Sequence, residues 1–224
     1  MEDLYFRQVE IGPMANYVYL IGSASTREVY LVDPAWDVAG LVKLAEEEDL
    51  KITGILVSHT HADHVGGNLM GHQIEGVSEL LEHCKAKVYV HKSEAEYFSD
   101  PESELVKTDS HTSLEVGQVK IDFIHTPGHT PGSQCFKLAD RVVSGDTLFI
   151  GSCGRTDLPG SNPEQMYESL TQKLMKLDEN TLVYPGHNYS PPTAHSTIGN
   201  EKANNPFFRF PSKSAFLAAM GYSV

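Results

Sequence analysis

The 224-residue sequence lacks any uninterrupted apolar run of the roughly 18 to 20 residues that a helix needs to cross a bilayer. It is also poor in basic residues: 17 Lys and Arg stand against 30 Asp and Glu, so the formal net charge is −13. A surface that follows the phosphates of DNA or RNA needs the opposite balance. We therefore predict neither a membrane protein nor a nucleic-acid-binding protein.

Cysteine is scarce as well. Cys84, Cys135 and Cys153 are the only three, and none belongs to a Cys-x-x-Cys pair, which argues against the disulfide framework of a small secreted domain. The N-terminal residues MEDLYFRQVEIG are unlike the basic and then apolar pattern of a secretory signal. These absences favour a cytoplasmic protein. Because no low-complexity linker interrupts the sequence, we expect a single domain over residues 1–224.

The spacing of apolar residues predicts strands that alternate with helices. Strands are expected at residues 4–11, 17–21, 29–32, 52–57, 87–90, 119–124, 134–138, 141–143 and 181–184. Helices are expected at residues 38–45, 77–83, 163–177, 197–204 and 212–220. This order favours a layered α/β fold over an all-β sandwich.

Histidine, by contrast, is abundant. Three of the 11 histidines and one carboxylate fall in the segment SHTHADH at residues 58–64, directly after the predicted strand 52–57. Clustered imidazoles repel one another when protonated and need separate partners when neutral, whereas one divalent cation satisfies them together. Residues two apart in an extended loop share a face, so His59 and His61 can bind one ion. After the chain turns, Asp63 and His64 can face a neighbouring position.

Three further candidate ligands each follow a predicted strand and lie beside glycine: His129 in TPGHTPG, Asp146 in SGDT and His187 in YPGHNY. Glycine lets the backbone approach a ligand closely, and open α/β sheets build their sites from loops at strand ends. Five imidazoles and two carboxylates without a thiolate suit Zn, Fe or Mn in a catalytic role. Hydroxyl groups that could orient the imidazoles are those of Ser58, Thr60, Thr126 and Thr147.

From about residue 17 to residue 206, these motifs resemble those of the metallo-β-lactamase superfamily. Its His-x-His-x-Asp-His motif corresponds to His59, His61, Asp63 and His64, and its later His, Asp and His correspond to His129, Asp146 and His187. The resemblance implies a four-layer αβ/βα sandwich with two divalent ions, Zn and/or Fe, at one edge between the sheets. It also implies that the first ion is held by His59, His61 and His129, that the second is held by Asp63, His64 and His187, and that Asp146 bridges them.

Within the superfamily, GDTLF at residues 145–149 and CGR at residues 153–155 resemble the glyoxalase II branch, which hydrolyses S-acylglutathione thioesters. This resemblance implies attack on a thioester by a metal-bound hydroxide, with Asp63 and Asp146 as catalytic residues and Arg155 and Tyr189 as substrate contacts. Only 37 residues (224 − 187) follow His187, too few for the C-terminal helical domain that holds glutathione in two-domain members. The expected partner is a small-molecule thioester or a related thiol-derived substrate.

Two other interpretations remain open. GRTD at residues 154–157 is shared with the related persulfide dioxygenases, which bind one iron through the positions of His59, His129 and Asp146. The second alternative is a metal-bound scaffold that docks a protein partner through the apolar segment PFFRFP at residues 206–211. All these interpretations allow a homo-oligomer.

Overall fold

The computed structural model describes residues 3–98 and 105–222. Within them, two six-stranded sheets and two short hairpins account for the strands, which we number along the chain. In spatial order, the first sheet contains β1 (Leu4–Ile11), β2 (Asn16–Ser23), β3 (Glu28–Val32), β4 (Lys51–Leu56), β7 (Lys87–His91) and β8 (Leu105–Thr108). The second contains β16 (Ser196–Thr197), β15 (Leu182–Pro185), β12 (Arg141–Gly145), β11 (Gln134–Lys137), β10 (Val119–His125) and β9 (Ser113–Val116).

The direction of the strands brings several loops to one edge. In the first sheet, β3, β4, β7 and β8 run parallel, and β2 runs antiparallel to β3. The start of β2 therefore lies beside the ends of β3 and β4. In the second sheet, β12 and β15 are parallel and β10, β11 and β12 are antiparallel neighbours. The hairpins are β5 (Gly67–Leu69) with β6 (His72–Ile74), and β13 (Leu148–Phe149) with β14 (Ser152–Cys153).

The described part of the chain contains six α-helices: α1 (Val38–Glu47), α2 (Ala62–Val65), α3 (Val77–His83), α4 (Pro163–Glu168), α5 (Ile198–Asn204) and α6 (Lys213–Ala219). Helix α1 begins where the Asp37 side chain accepts a hydrogen bond from the Gly40 amide, and α4 begins with an Asn162 cap followed by proline. Over residues 3–98 and 105–222, none of the helices combines the length and the apolar character needed to cross a bilayer.

Strand β2 shows why the sheets stack. All eight of its residues are buried, so both of its faces must be covered. Val18 and Leu20 pack in one cluster with residues of α1 and α3, whereas Tyr17, Tyr19 and Ile21 pack in another with residues of the second sheet. This alternation follows from the two-residue period of a strand, and it places the first sheet between helices and the second sheet.

The second sheet is covered in the same way. Phe123 and Phe136 face the first sheet, whereas Cys135, Val142 and Val183 pack on the opposite face against residues of α4 and α6. The layers are therefore helix, sheet, sheet, helix. This confirms the predicted α/β four-layer sandwich.

The departures from the predicted elements are local. The helix predicted over residues 163–177 is α-helical only to Glu168 and continues as a π-helical segment, Ser169–Lys173, and a 3-10 turn, Leu174–Lys176. In the π-helical segment the Ser169 hydroxyl donates to the Pro127 carbonyl, a contact that helical periodicity does not encode. The segment 68–76 forms most of the β5–β6 hairpin, whose tip exposes 94% of Met70.

The segment at residues 206–211 does not form an exposed docking strip. Phe208 is buried, and Phe207 and Phe210 pack against the helical layer on the second sheet. Their ring centroids lie 6.2 and 5.6 Å from that of Phe216 in α6. Burying these rings stabilises the fold, so the physical basis for the partner-docking interpretation is missing.

Candidate metal centre

The structure brings all seven predicted ligands to the edge where the two sheets meet. His59 and His61 follow β4, and the short helix α2 carries Asp63 and His64. The second sheet contributes the other three, which follow β10, β12 and β15: His129, Asp146 and His187. Six of the seven are buried, and His61 is half-buried. Each sheet thus supplies part of the site.

The ligands form two clusters. In the first cluster, His61 Nδ1 lies 3.1 Å from both His59 Nε2 and His129 Nε2. In the second cluster, His64 Nε2 lies 3.1 Å from His187 Nε2, and each of these atoms is 3.4 Å from Asp63 Oδ2. In each cluster one potential ligand atom per residue lies within 4.8 Å of the other two.

Asp146 lies between the two clusters. Its Oδ2 is 3.5 Å from His129 Nε2 in the first cluster and 3.4 Å from His187 Nε2 in the second. Its Oδ1 is buried and has no hydrogen-bond partner among the described residues. It lies 3.5 Å from His64 Nε2, and because a buried carboxylate oxygen without a hydrogen bond is costly, a cation would stabilise it. A Cβ on Gly186 would come within 2.2 Å of this oxygen, so glycine is what allows the carboxylate to sit here.

Hydrogen bonds on the far side of the rings fix the orientation of three imidazoles. Carbonyl oxygens can only accept, so His129 Nδ1 donates to the Arg155 carbonyl at 2.8 Å and His187 Nδ1 donates to the Met14 carbonyl at 2.9 Å. His64 Nδ1 donates to Asp33 Oδ2 at 3.1 Å. Each of these bonds places a proton on Nδ1, so Nε2 is the nitrogen that is directed into the site.

Asp33 is a residue of the site that the sequence analysis missed. It is buried, and its two oxygens accept from the Ser58 amide at 2.7 Å and the Ser58 hydroxyl at 2.5 Å, in addition to His64. Because the Ser58 proton is used on Asp33, the Ser58 oxygen accepts from His59 Nδ1 at 3.0 Å. One carboxylate thereby orients an imidazole in each cluster.

Asn16 is a second residue that the sequence analysis missed. Its side-chain amide donates to both the Oδ2 and the backbone oxygen of Asp63, each at 3.0 Å. Its own Oδ1 accepts from Trp36 Nε1 at 3.0 Å, which decides which end of the amide is the donor. Asn16 therefore holds Asp63 against the second cluster.

The other hydroxyl groups proposed to orient the imidazoles have different partners. The Thr60 hydroxyl donates to Glu94 Oε2 at 3.1 Å. The hydroxyls of Thr126 and Thr147 lie 2.8 Å apart and bond to each other. Of the four proposed residues, Ser58 is the one that contacts an imidazole of the site.

The arrangement fits divalent ions. An ion with tetrahedral geometry and metal–nitrogen bonds of about 2.0–2.1 Å holds its ligand nitrogens about 3.3 Å apart. The nitrogen pairs of the two clusters are separated by 3.1 Å. In the His64–His187 pair, two Nε2 lone pairs face each other at that distance, which is unfavourable unless a cation or a proton lies between them. The donor set, the spacing and the unsatisfied Asp146 oxygen all point to cation binding.

The ionisation of the side chains favours the same conclusion. Burial lowers the pKa of His59, and it lowers the pKa of His61 to about 4, with neighbouring imidazoles adding to both effects. Burial also disfavours protonation of His64, but the charges of Asp146 and Asp63 outweigh it and raise the pKa of His64. Burial disfavours ionisation of Asp146, yet the neighbouring histidines hold its pKa well below the ordinary value. His59 and His61 are thus neutral and available to a metal at pH 7, and the carboxylate of Asp146 is anionic, whereas a metal that binds His64 displaces a proton.

The two predicted substrate contacts lie at the mouth of the site. The Tyr189 ring stacks on His187, with centroids 4.7 Å apart and planes at 10°, and 55% of Tyr189 is exposed. Burial of its phenol and nearby carboxylates raise the pKa of Tyr189 to about 12, so the hydroxyl stays protonated. Arg155 is exposed and donates from Nε and Nη2 to the two oxygens of Asp157, each at 2.7 Å. Its charge is therefore largely offset.

Comparison with known proteins places the chain in a family. A model of the metallo-β-lactamase superfamily matches residues 11–187, which contain all seven predicted ligands. The chain belongs to the metallo-β-lactamase superfamily. The resemblance stated from the motifs is thus confirmed, and the four-layer sandwich is the fold of this superfamily member, with a group of residues at its edge that fits divalent-metal binding.

Relatives in the superfamily carry two different activities. A hydroxyacylglutathione hydrolase of Shewanella halifaxensis (strain HAW-EB4) is 34% identical over 191 residues, which cover 85% of this chain and 68% of that protein. The mitochondrial persulfide dioxygenase ETHE1 of Bos taurus is 31% identical over 203 residues, which cover 89% of this chain and 74% of that protein. The crystal structure of ETHE1 from Myxococcus xanthus aligns with a TM-score of 0.84 at 33% identity, covering 97% of this chain and 90% of that one.

Proposed function

We propose that this superfamily member is a two-metal hydrolase that cleaves small-molecule thioesters. The observation that supports this best is the second cluster: Asp63 is held by Asn16, and His64 is held by Asp33. An oriented second cluster offers ligands for a second ion, which a two-metal hydrolase uses. Asp146, which contacts histidines of both clusters, is suited to join two ions.

The residues of the chain suit hydrolysis. Divalent ions at such a site lower the pKa of a bound water and polarise a carbonyl oxygen, which supplies the nucleophile and stabilises the developing negative charge. Asp63, fixed by Asn16, orients the attacking water and accepts its proton. A thiolate leaves readily, so the reaction needs no strong general acid. The aromatic wall of Tyr189 and Phe149, whose centroids lie 5.2 Å apart, lines the mouth for the organic part of the substrate.

The residues at the entrance to the site, Arg155 and Tyr189, favour a thioester whose binding does not depend on a negatively charged thiol portion. Because Arg155 is paired with Asp157, it offers little net charge to the carboxylates of a substrate such as an S-acylglutathione. The protonated Tyr189 hydroxyl can still donate a hydrogen bond. We therefore expect an uncharged acyl thioester to be cleaved at least as well as an acylglutathione.

The test is thioester hydrolysis by protein purified without oxygen and loaded with zinc or iron, with S-lactoylglutathione and an N-acetylcysteamine thioester as substrates. Asp146→Ala should lose bound metal and hydrolysis together. The matched control is Asp140→Asn at the other end of β12, where the exposed carboxylate pairs with Arg141. An Asp146 variant with full activity would contradict the proposal.

Persulfide dioxygenation is the second candidate, favoured by the likeness to ETHE1 and by the proximity of Asp146 to His129 of the first cluster. Two histidines and one carboxylate at one iron leave positions open for oxygen and sulfur. His187→Ala separates the two candidates, because it removes a ligand of the second cluster only. Oxygen uptake on glutathione persulfide that survives in His187→Ala, with one iron per chain, would favour the dioxygenase; loss of thioester hydrolysis in the same variant would favour the two-metal hydrolase.

A further inference from the structure

The two loops that form the first cluster are joined behind it by one carboxylate, that of Glu94. This residue follows β7 and is half-buried. Its Oε2 accepts from the Thr60 amide at 3.0 Å and the Thr60 hydroxyl at 3.1 Å. Its Oε1 accepts from the Gly132 amide at 2.9 Å. Thr60 lies between His59 and His61, and Gly132 lies three residues after His129.

Each oxygen of Glu94 is thus committed to one loop. Oε2 holds the loop after β4 of the first sheet, and Oε1 holds the loop after β10 of the second sheet. The bond to the Thr60 amide fixes the peptide between the two histidines of the His-x-His motif, so it also fixes the face on which their rings lie. The carboxylate therefore sets the distance between the histidines contributed by the two sheets.

The absence of a side chain at Gly132 makes room for the Glu94 side chain. A Cβ at position 132 would lie 2.7 Å from both Cγ and Cδ of Glu94 and 3.0 Å from its Cβ. The backbone at Gly132 does not have a positive φ, so alanine is excluded by Glu94 rather than by the conformation. Glycine at position 132 lets the loop approach closely enough to donate its amide proton.

The second cluster has its own supports. Asp63, His64 and His187 are held by Asn16, Asp33 and the Met14 carbonyl. Three charge-assisted hydrogen bonds to Glu94 therefore bear directly on the first cluster, and they reach the second only through the peptide of His61, whose carbonyl accepts from the His64 amide at 2.9 Å. A change at Glu94 should affect one of two ions, whereas a general loss of stability would affect both.

We propose that Glu94 is a positioning residue that sets the spacing of His59, His61 and His129 and thereby the affinity of the first cluster for its ion. The inference rests on the two-metal site of the proposed function but not on the substrate. Replacing the carboxylate by an amide puts a donor against the Thr60 or the Gly132 amide, so Glu94→Gln removes at least one of the three bonds and the charge.

The test is stepwise metal binding to the full-length protein, measured with zinc in competition with a chromophoric chelator and with the visible absorption of bound cobalt. Glu94→Gln should lower the affinity for one of the two ions by about 10- to 100-fold and leave the affinity for the other unchanged. It should also alter the absorption spectrum of cobalt bound at the weaker site. Gly132→Ala, which displaces Glu94 while keeping its charge, should lower the affinity for the same ion.

Asp3→Asn is the matched control. Asp3 also joins two loops, because it accepts from the Ser25 amide at 2.8 Å, the Gln118 amide at 2.9 Å and the Ser23 hydroxyl at 2.8 Å. These contacts lie at the far end of β2, whose eight residues span about 25 Å, so both ions should bind as in the wild type.

Unchanged binding of both ions in Glu94→Gln would overturn the proposal while leaving the proposed function intact. The proposal would also be overturned if Glu94→Gln and Asp3→Asn lowered the affinity for both ions to the same extent, because the cause would then be a general loss of stability. A wild-type protein that binds no ion would overturn the proposed function and this inference together.

Discussion

Asp33→Asn should disable the second cluster by moving a proton within one imidazole ring. In the wild type, Asp33 accepts three hydrogen bonds, two from Ser58 and one from His64 Nδ1. An asparagine that keeps its oxygen toward the Ser58 amide places its NH₂ group against His64 Nδ1. Two donors then face each other, and the favourable response is for Nδ1 to lose its proton and accept, while Nε2 becomes the protonated nitrogen.

The magnitude follows from what this proton does. A protonated Nε2 cannot bind a metal. Metal binding must therefore return the proton to Nδ1, where it faces the NH₂ group, and the free-energy cost of this step lowers the affinity. Loss of such an orienting carboxylate costs about 10- to 100-fold in metal affinity, or about 1.4–2.7 kcal/mol. The same NH₂ group faces the Ser58 hydroxyl, which loses its acceptor on Asp33 Oδ2, so the hydrogen bond between Ser58 and His59 Nδ1 should also change and the first cluster should bind its ion more weakly too.

Two measurements check this prediction. Zinc titration against a chromophoric chelator gives the affinity of each ion, and ¹⁵N-detected spectra of the metal-free protein give the tautomer of His64. The control is Asp37→Asn, because Asp37 caps α1 and asparagine is an equally good cap. Wild-type affinity for both ions in Asp33→Asn, with His64 still protonated at Nδ1, would refute the reasoning.

Three other perturbations have expected outcomes. Burial and the stacked ring of His125 lower the pKa of His91 to about 4. Between pH 4 and 6.5 the unfolded state therefore binds more protons than the folded state, and the wild type loses stability as the pH falls from 7 to 4.5. In urea titrations, His91→Asn should recover up to about 2 kcal/mol of this loss in the free energy of unfolding. No difference between the two proteins across this range would contradict that assignment. Gly154→Ala should release at least one ion, measured by metal analysis, because a Cβ would lie 1.8 Å from the Asp146 carbonyl oxygen; a fully metallated variant would contradict it. Removing both ions with a chelator should lower the melting temperature by about 10–20 °C relative to protein at free zinc 100 times Kd, because about 2.7 kcal/mol of binding is lost for each ion. An unchanged melting temperature would show that the folded state binds the ions no better than the unfolded one.

The sequence alone predicts the parts of the fold that repeat a clear period. The alternation of Leu4–Ile11 and the helical stripe of Val77–His83 coincide with the observed elements. Strands of two residues, such as β13 and β16, and the four-residue helix α2 are too short for a period to be recognised. The π-helical segment was missed for a different reason: its apolar residues keep a helical spacing, and the contact that it makes, between Ser169 and the Pro127 carbonyl, joins positions 42 residues apart.

The candidate site divides in the same way. Its ligands stand out in the sequence because three clustered histidines, and a histidine or aspartate next to glycine, are unusual patterns at the end of an apolar run. Asp33, Asn16 and Glu94 do not stand out, because an acidic or amide residue at the end or start of a strand is common. Their roles depend on which strands are neighbours: Asp33 reaches Ser58 because β3 and β4 pair in parallel, with Val32 opposite Leu56.

The backbone holds the site together even before any ion binds. The Gln134 amide of the second sheet donates to the Ser58 carbonyl of the first at 2.8 Å, one residue from His59. The Tyr17 amide of the first sheet donates to the Gly186 carbonyl of the second at 2.8 Å, one residue from His187. Each bond crosses between the sheets next to a ligand of a different cluster, so the loops need not be gathered by the metal. Ions would then meet ligand atoms that are already close and oriented, and little of their binding free energy would go into ordering the chain. Because the affinity depends on this preorganisation, residues that orient the ligands without touching an ion should control the affinity strongly. The changes predicted for Asp33 and Glu94 follow from this.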